Sequence, residues 1–122
     1  MKTCLVVDDS EAIRNLARDM LEKLDLNVME ASDGQKALEI CGNSMPDAIL
    51  LDRNMPVMNG IEFLRELRQR DGGTQPIVIF CTGEATVGHI QEALSAGADE
   101  YVIKPFDSVM VEQKLSTTGI IG

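Results

Sequence analysis

Residues 2–14 read KTCLVVDDSEAIR. Cys4-Leu5-Val6-Val7 is a short apolar run rich in branched side chains, the pattern of a strand buried on both faces. Two carboxylates, Asp8 and Asp9, end it. Ser10 then sits as the N-cap of a helical stripe formed by Ile13, Leu16/Ala17, Met20 and Leu24. Neighbouring anions at the mouth of such a strand repel each other by about 4 kcal/mol at ~4 Å, for an effective dielectric of about 20. A positive charge is therefore expected beside them.

The same unit of strand, polar end and helix recurs outward from this stretch. The strands are predicted at 3–8, 27–31 (NVMEA), 47–52 (DAILLD), 76–82 (PIVIFCT) and 100–104 (EYVIK). Between them lie helical patterns. SDGQKALEICG has Ser32 and Gln35 at capping-box spacing and Gly42 at its end. NGIEFLRELRQR carries Ile61, Leu64 and Leu67 on one face, and DGG breaks it. TVGHIQEALSAG has Gly97 beyond its end, and DSVMVEQKL forms the last helix. The tail STTGIIG holds poor helix formers and two glycines, so a short last helix with a frayed end is expected. Gly88, beside Thr86 and Val87, weakens the start of the fourth helix by about 1 kcal/mol relative to alanine.

Five strands alternating with five helices imply right-handed βαβ units and a doubly wound parallel sheet, an α/β fold in one domain spanning 1–122. The net charge of −9 argues against nucleic acid and against an anionic membrane as partners, and suits a cation or a basic protein surface. Cysteines 4, 41 and 81 are odd in number and lack metal-site spacing, which fits buried reduced thiols. The N-terminus does not read as a signal peptide, and no apolar run reaches the ~20 residues of a membrane span. The expectation is a soluble cytoplasmic protein.

In doubly wound sheets the ligand crevice lies at the carboxyl ends of the strands. Those ends here are Asp8-Asp9, Asp52, Thr82 and Lys104. An acid alone at such a turn also serves as a helix cap, but five polar groups at one rim describe a site. Three converging carboxylates suit Mg²⁺, which takes few protein oxygens, keeps waters and shares phosphate oxygens. An aspartate beside that ion can attack a phosphoryl donor. Lys104 would neutralise phosphoryl oxygens, and Thr82 would donate a hydrogen bond. Asp52 is best placed as nucleophile, being single and followed by the open loop RNMPVMNG.

VVDDS, LLDRNMPVMNG, IFCTGE and EYVIKPF stand in the order of the successive motifs of the receiver domains of two-component response regulators. The chain resembles that family over nearly its whole length, most of all the stand-alone chemotaxis-type receivers. The resemblance implies a flavodoxin-like sheet of order 2-1-3-4-5. It implies a phosphoacceptor, not an enzyme in its own right, with Asp52 phosphorylated by a histidine kinase, a histidine phosphotransferase or a small donor. Asp9, Asp52 and the backbone carbonyl of Asn54 would ligate Mg²⁺, for which Mn²⁺ substitutes, and Asp8 would act mainly through bound water. Lys104 would pair with the phosphoryl group, Thr82 would move toward it, and Tyr101 would rotate inward as the second switch residue. The Lys104–Pro105 bond should be cis. The output face would span about 86–116 and meet a protein target, the chain itself being monomeric.

Arg53 departs from the chemotaxis receivers, which carry Trp after the acceptor. Two readings stay open: a solvated surface arginine, or a guanidinium that reaches the site and competes with or supplements Mg²⁺ for phosphate. Asn54 and Glu84 match the fast-turnover chemotaxis pattern, which implies a phosphoryl lifetime of seconds to minutes. His89 reads as a surface helix residue, and Met55 and Met58 as loop packing around Pro56. Alternative functions are a phosphorelay intermediate or phosphate sink, and a receiver belonging to a longer regulator. A haloacid-dehalogenase-type phosphatase is disfavoured, because position 54 is Asn where that chemistry needs a second Asp.

Overall fold

The alternation read from the sequence is present in the computed structural model, which describes residues 1–83 and 86–122. In chain order the elements are β1 (Thr3–Val7), α1 (Glu11–Glu22), β2 (Asn27–Ala31), α2 (Gly34–Asn43), β3 (Ala48–Asp52), α3 (Gly60–Gln69), β4 (Ile77–Thr82), α4 (Val87–Ala96), β5 (Glu100–Ile103) and α5 (Ser108–Thr117). All strand pairs are parallel, in the order β2-β1-β3-β4-β5. The flavodoxin-like order implied by the resemblance is therefore the observed one.

Strand periodicity splits the interior into two layers. Leu5 and Val7 of β1, Ile49 and Leu51 of β3, and Val78 and Phe80 of β4 face α2, α3 and α4. Their chain neighbours Cys4, Val6, Ala48, Leu50, Ile79 and Cys81 face α1 and α5. A side chain buried this fully contributes roughly 1.5–3 kcal/mol, so β1, β3 and β4 are fixed from both sides. That rigidity holds their carboxyl ends in place.

The caps read at Ser10 and Gly97 are observed. Ser10 accepts from the Ile13 N–H at 3.3 Å, and Asn59 and Glu62 form a reciprocal capping box on α3. Gly97, at φ 115°, ends α4. Three readings are corrected. Gly42 does not end α2, which runs to Asn43 with Ser44 as its C-cap. The N-cap of α2 is Asp33, whose carboxylate accepts from the Lys36 N–H at 2.9 Å. Ser32, one residue too early, instead accepts from the Lys36 ammonium at 3.0 Å. Nor does the C-terminal tail fray: α5 runs to Thr117, and Gly119 turns left-handed at φ 82°. Gly119 then donates to Ser116 O and Ile120 to Leu115 O, the paired bonds of a Schellman end. Ile120 and Ile121 pack on the α1/α5 layer, and this apolar contact outweighs the weak helix propensity of the tail.

Candidate functional site

Each strand end on the expected rim is held by its own backbone bonds. The Asp8 N–H donates to Ala31 O at 3.1 Å, prolonging the β1–β2 ladder by one residue. Arg14 Nη1 donates to Asp8 O at 2.7 Å, and the Ser10 N–H donates to Asp8 Oδ1 at 2.9 Å. Asp52 closes β3 in register with Cys81. Behind it, α3 starts at Gly60, whose N–H donates to Arg53 O at 2.9 Å. A Cβ at Gly60 would lie 2.3 Å from Asp52 O, so only glycine lets the helix begin this close to the acid. Lys104 N–H donates to Thr82 O at 2.8 Å, which sets the lysine beside β4. The Lys104–Pro105 bond is cis.

These constraints bring Asp8, Asp9 and Asp52 together, with one carboxylate oxygen from each within 4.8 Å of the others. Asp8 and Asp52 are buried, whereas Asp9 is exposed. The Lys104 ammonium bridges Asp8 Oδ2 at 2.9 Å and Asp52 Oδ1 at 2.8 Å. Among the described residues, Lys104 is the one cation paired with these three carboxylates, which leaves two negative charges, the charge of one divalent ion. All-oxygen donors of this kind fit Mg²⁺. Burial raises the Asp52 carboxyl above the usual aspartate range, and the Asp8 charge adds to this, against the lowering pull of Lys104. For Lys104 burial opposes the charge, but the bonds to Asp52 and Asp8 prevail and hold the ammonium above the ordinary lysine range.

Thr82 is buried at the end of β4 and lines a cavity of about 450 Å³ with Arg53, Asn54, Gly83 and His89. Tyr101 lies apart from the acidic cluster. It is half-buried on β5, with the Lys114 ammonium 5.5 Å from its ring centroid. Met55 and Met58 pack on the α2/α3/α4 layer, as their reading as loop packing anticipates. Glu84 lies outside the described residues. Arg53 is not a freely solvated arginine: its side chain is 23 % exposed, and Nη2 donates to Glu92 Oε1 on α4 at 2.7 Å. Sequence reasoning found Arg53 but not Glu92, since nothing in a one-dimensional pattern ties positions 39 residues apart. It also missed Arg14, whose one signal is its place on α1 a turn after the acids.

Compared with known proteins, the chain matches the model of the response regulator receiver domain over residues 4–116. The chain belongs to this family. Among curated relatives it is 37 % identical to the chemotaxis protein CheY of Halobacterium salinarum over 115 residues, 94 % of each sequence. Its fold matches that of the chemotaxis response regulator CheY4 of Vibrio cholerae with a TM-score of 0.91 at 32 % identity, covering 96 % of this chain and 98 % of that one. The receiver domain of the sensor histidine kinase PA1611 of Pseudomonas aeruginosa, with a magnesium ion coordinated in its active-site cleft, gives 0.88 at 29 % identity and 95 % coverage of both chains. As a receiver of the CheY-like kind, the chain has an acidic pocket that fits Mg²⁺. Among the described residues no helix is long and apolar enough to cross a membrane.

Proposed function

We propose that this receiver is a phosphoacceptor that takes a phosphoryl group on Asp52 and signals through the face formed by α4, β5 and α5. The observation that carries the reading is the Lys104 ammonium set between Asp8 and Asp52, with Asp9 in the same cluster. The carboxylates of Asp8, Asp9 and Asp52, with the Asn54 carbonyl, would hold Mg²⁺ or Mn²⁺. Bound there, the ion supplies the positive charge that lets a carboxylate meet an anionic phosphoryl donor.

An Asp52 carboxylate oxygen attacks the phosphorus atom of phosphohistidine on a kinase or phosphotransferase. A P–O bond forms, the P–N bond breaks, and the imidazole nitrogen keeps that electron pair, its proton coming from solvent. Lys104 turns part of its charge to the new phosphoryl oxygens, and Thr82 donates a hydrogen bond to one of them. The modification adds about −1.5 to −2 charges. Two charge-assisted bonds of roughly 1.5–3 kcal/mol each are enough to move an equilibrium that lies a few kcal/mol from balance. Tyr101 then turns inward and remodels the 86–116 face for its protein target. The monomer is the signalling unit, works in the cytoplasm and loses its phosphoryl group within seconds to minutes.

Amide NMR with Mg²⁺ and beryllofluoride tests this. Shifts spreading from Asp52 to Thr82, Tyr101 and α4 are expected in the wild type and not in Asp52→Asn. A spectrum that responds equally in both proteins contradicts the reading.

A further inference from the structure

Arg53 directly follows the acceptor, and its backbone cannot move far. Its N–H donates to Cys81 O at 3.2 Å, and its carbonyl accepts from the Gly60 N–H at 2.9 Å. Because Asp52 pairs with Cys81, Arg53 falls level with Thr82. Only the side chain is adjustable. Its Nη2 is held by Glu92, while Nη1 is buried without a hydrogen-bond partner among the described residues. A buried charged donor left unsatisfied is costly, and a native site tolerates one where a partner is still to arrive. Arg53 also lines a cavity with Asn54, Thr82, Gly83 and His89, just past the carboxyl ends of β3 and β4.

We infer that Arg53 is a further phosphoryl-binding residue, its Nη1 donating to a phosphoryl oxygen on Asp52 while Nη2 stays on Glu92. This rests on the phosphoacceptor reading above and adds to it a contact specific to this chain. The guanidinium fork suits the task, since one planar group presents parallel donors to two anions. The Glu92 pair is half-exposed and hence weak, so it orients the fork without trapping it. Through this bridge the phosphoryl group reaches α4 by a second route, independent of Thr82.

The test is beryllofluoride affinity at saturating Mg²⁺ in the wild type, Arg53→Gln and Arg53→Lys, together with the Arg53 Nε–Hε resonance of the wild type. Affinity should fall roughly ten- to hundredfold in Arg53→Gln, the loss of one charge-assisted bond. Arg53→Lys should recover part of it as a point charge, and the Arg53 resonance should shift on binding. A wild type that binds the analogue, a glutamine variant that binds it equally well and an unmoved Arg53 resonance would overturn the inference alone. A wild type that binds none removes the phosphoacceptor reading and the inference with it.

Discussion

Asp52 carries a conflict between stability and chemistry that its neighbours only partly relieve. Burial and the nearby Asp8 raise its carboxyl above the usual aspartate value of 3.8, so the folded chain holds a proton there more tightly than the unfolded one. Ionisation of Asp52 at neutral pH therefore costs stability, and this cost vanishes as the pH falls below the unfolded value. Without metal, Asp52→Asn should melt a few degrees higher than the wild type at pH 7, and the gap should close near pH 3.8. Thermal melts across that range check it; a variant that melts lower at pH 7 contradicts it. A second conflict sits in the loop beyond Asp52. Val57 is β-branched, 81 % exposed and held at φ 68°, a conformation disfavoured for any residue with a Cβ. Val57→Gly should gain about 1 kcal/mol in urea unfolding, and a loss would show that its side chain matters more than its backbone.

Elements were legible where periodicity and punctuation agreed, as at β1, β3 and β4, whose apolar runs alternate between the two layers. The rim acids were legible for the same reason, since a strand of known direction fixes which end its last residue occupies. Boundaries slipped where two neighbouring residues compete for one role, as Ser32 and Asp33 do, or where tertiary contact decides, as at Ile120 and Ile121. Hidden altogether was the part played by Arg68, near the end of α3. Its guanidinium donates to the carbonyls of Gly73, Pro76 and Gly97 and to the Asp99 carboxylate, tying α3 to the start of β4 and the end of α4. No pattern marks it, because most of its acceptors are backbone oxygens, which every residue has. Arg68→Ala should cost roughly 2–4 kcal/mol, since several bonds to a charged donor are lost together. Denaturant unfolding measures this, and a change below about 0.5 kcal/mol, the range of ordinary surface substitutions, would refute it.

At the scale of the molecule, the parallel sheet turns four separate strand ends, those of β1, β3, β4 and β5, into one chemical surface, and α4 reaches it through His89 and Glu92. The single tyrosine, in a chain without tryptophan, gives activation an intrinsic optical signal. Tyr101 is half-buried, so acetyl phosphate with Mg²⁺ should change its emission, and Thr82→Ala should blunt that change. Equal responses in the two proteins would break the link between strand end and output face. The most direct measurement is intact mass after incubation with acetyl phosphate, in Mg²⁺ and in excess chelator, for the wild type and Asp52→Asn. The account predicts the gain of one phosphoryl group in wild type quenched in acid from Mg²⁺, with borohydride reduction of the acyl phosphate marking Asp52 for peptide analysis, and none in the other three samples. Unlabelled wild type in Mg²⁺, or labelling that persists in chelator or in Asp52→Asn, would contradict it.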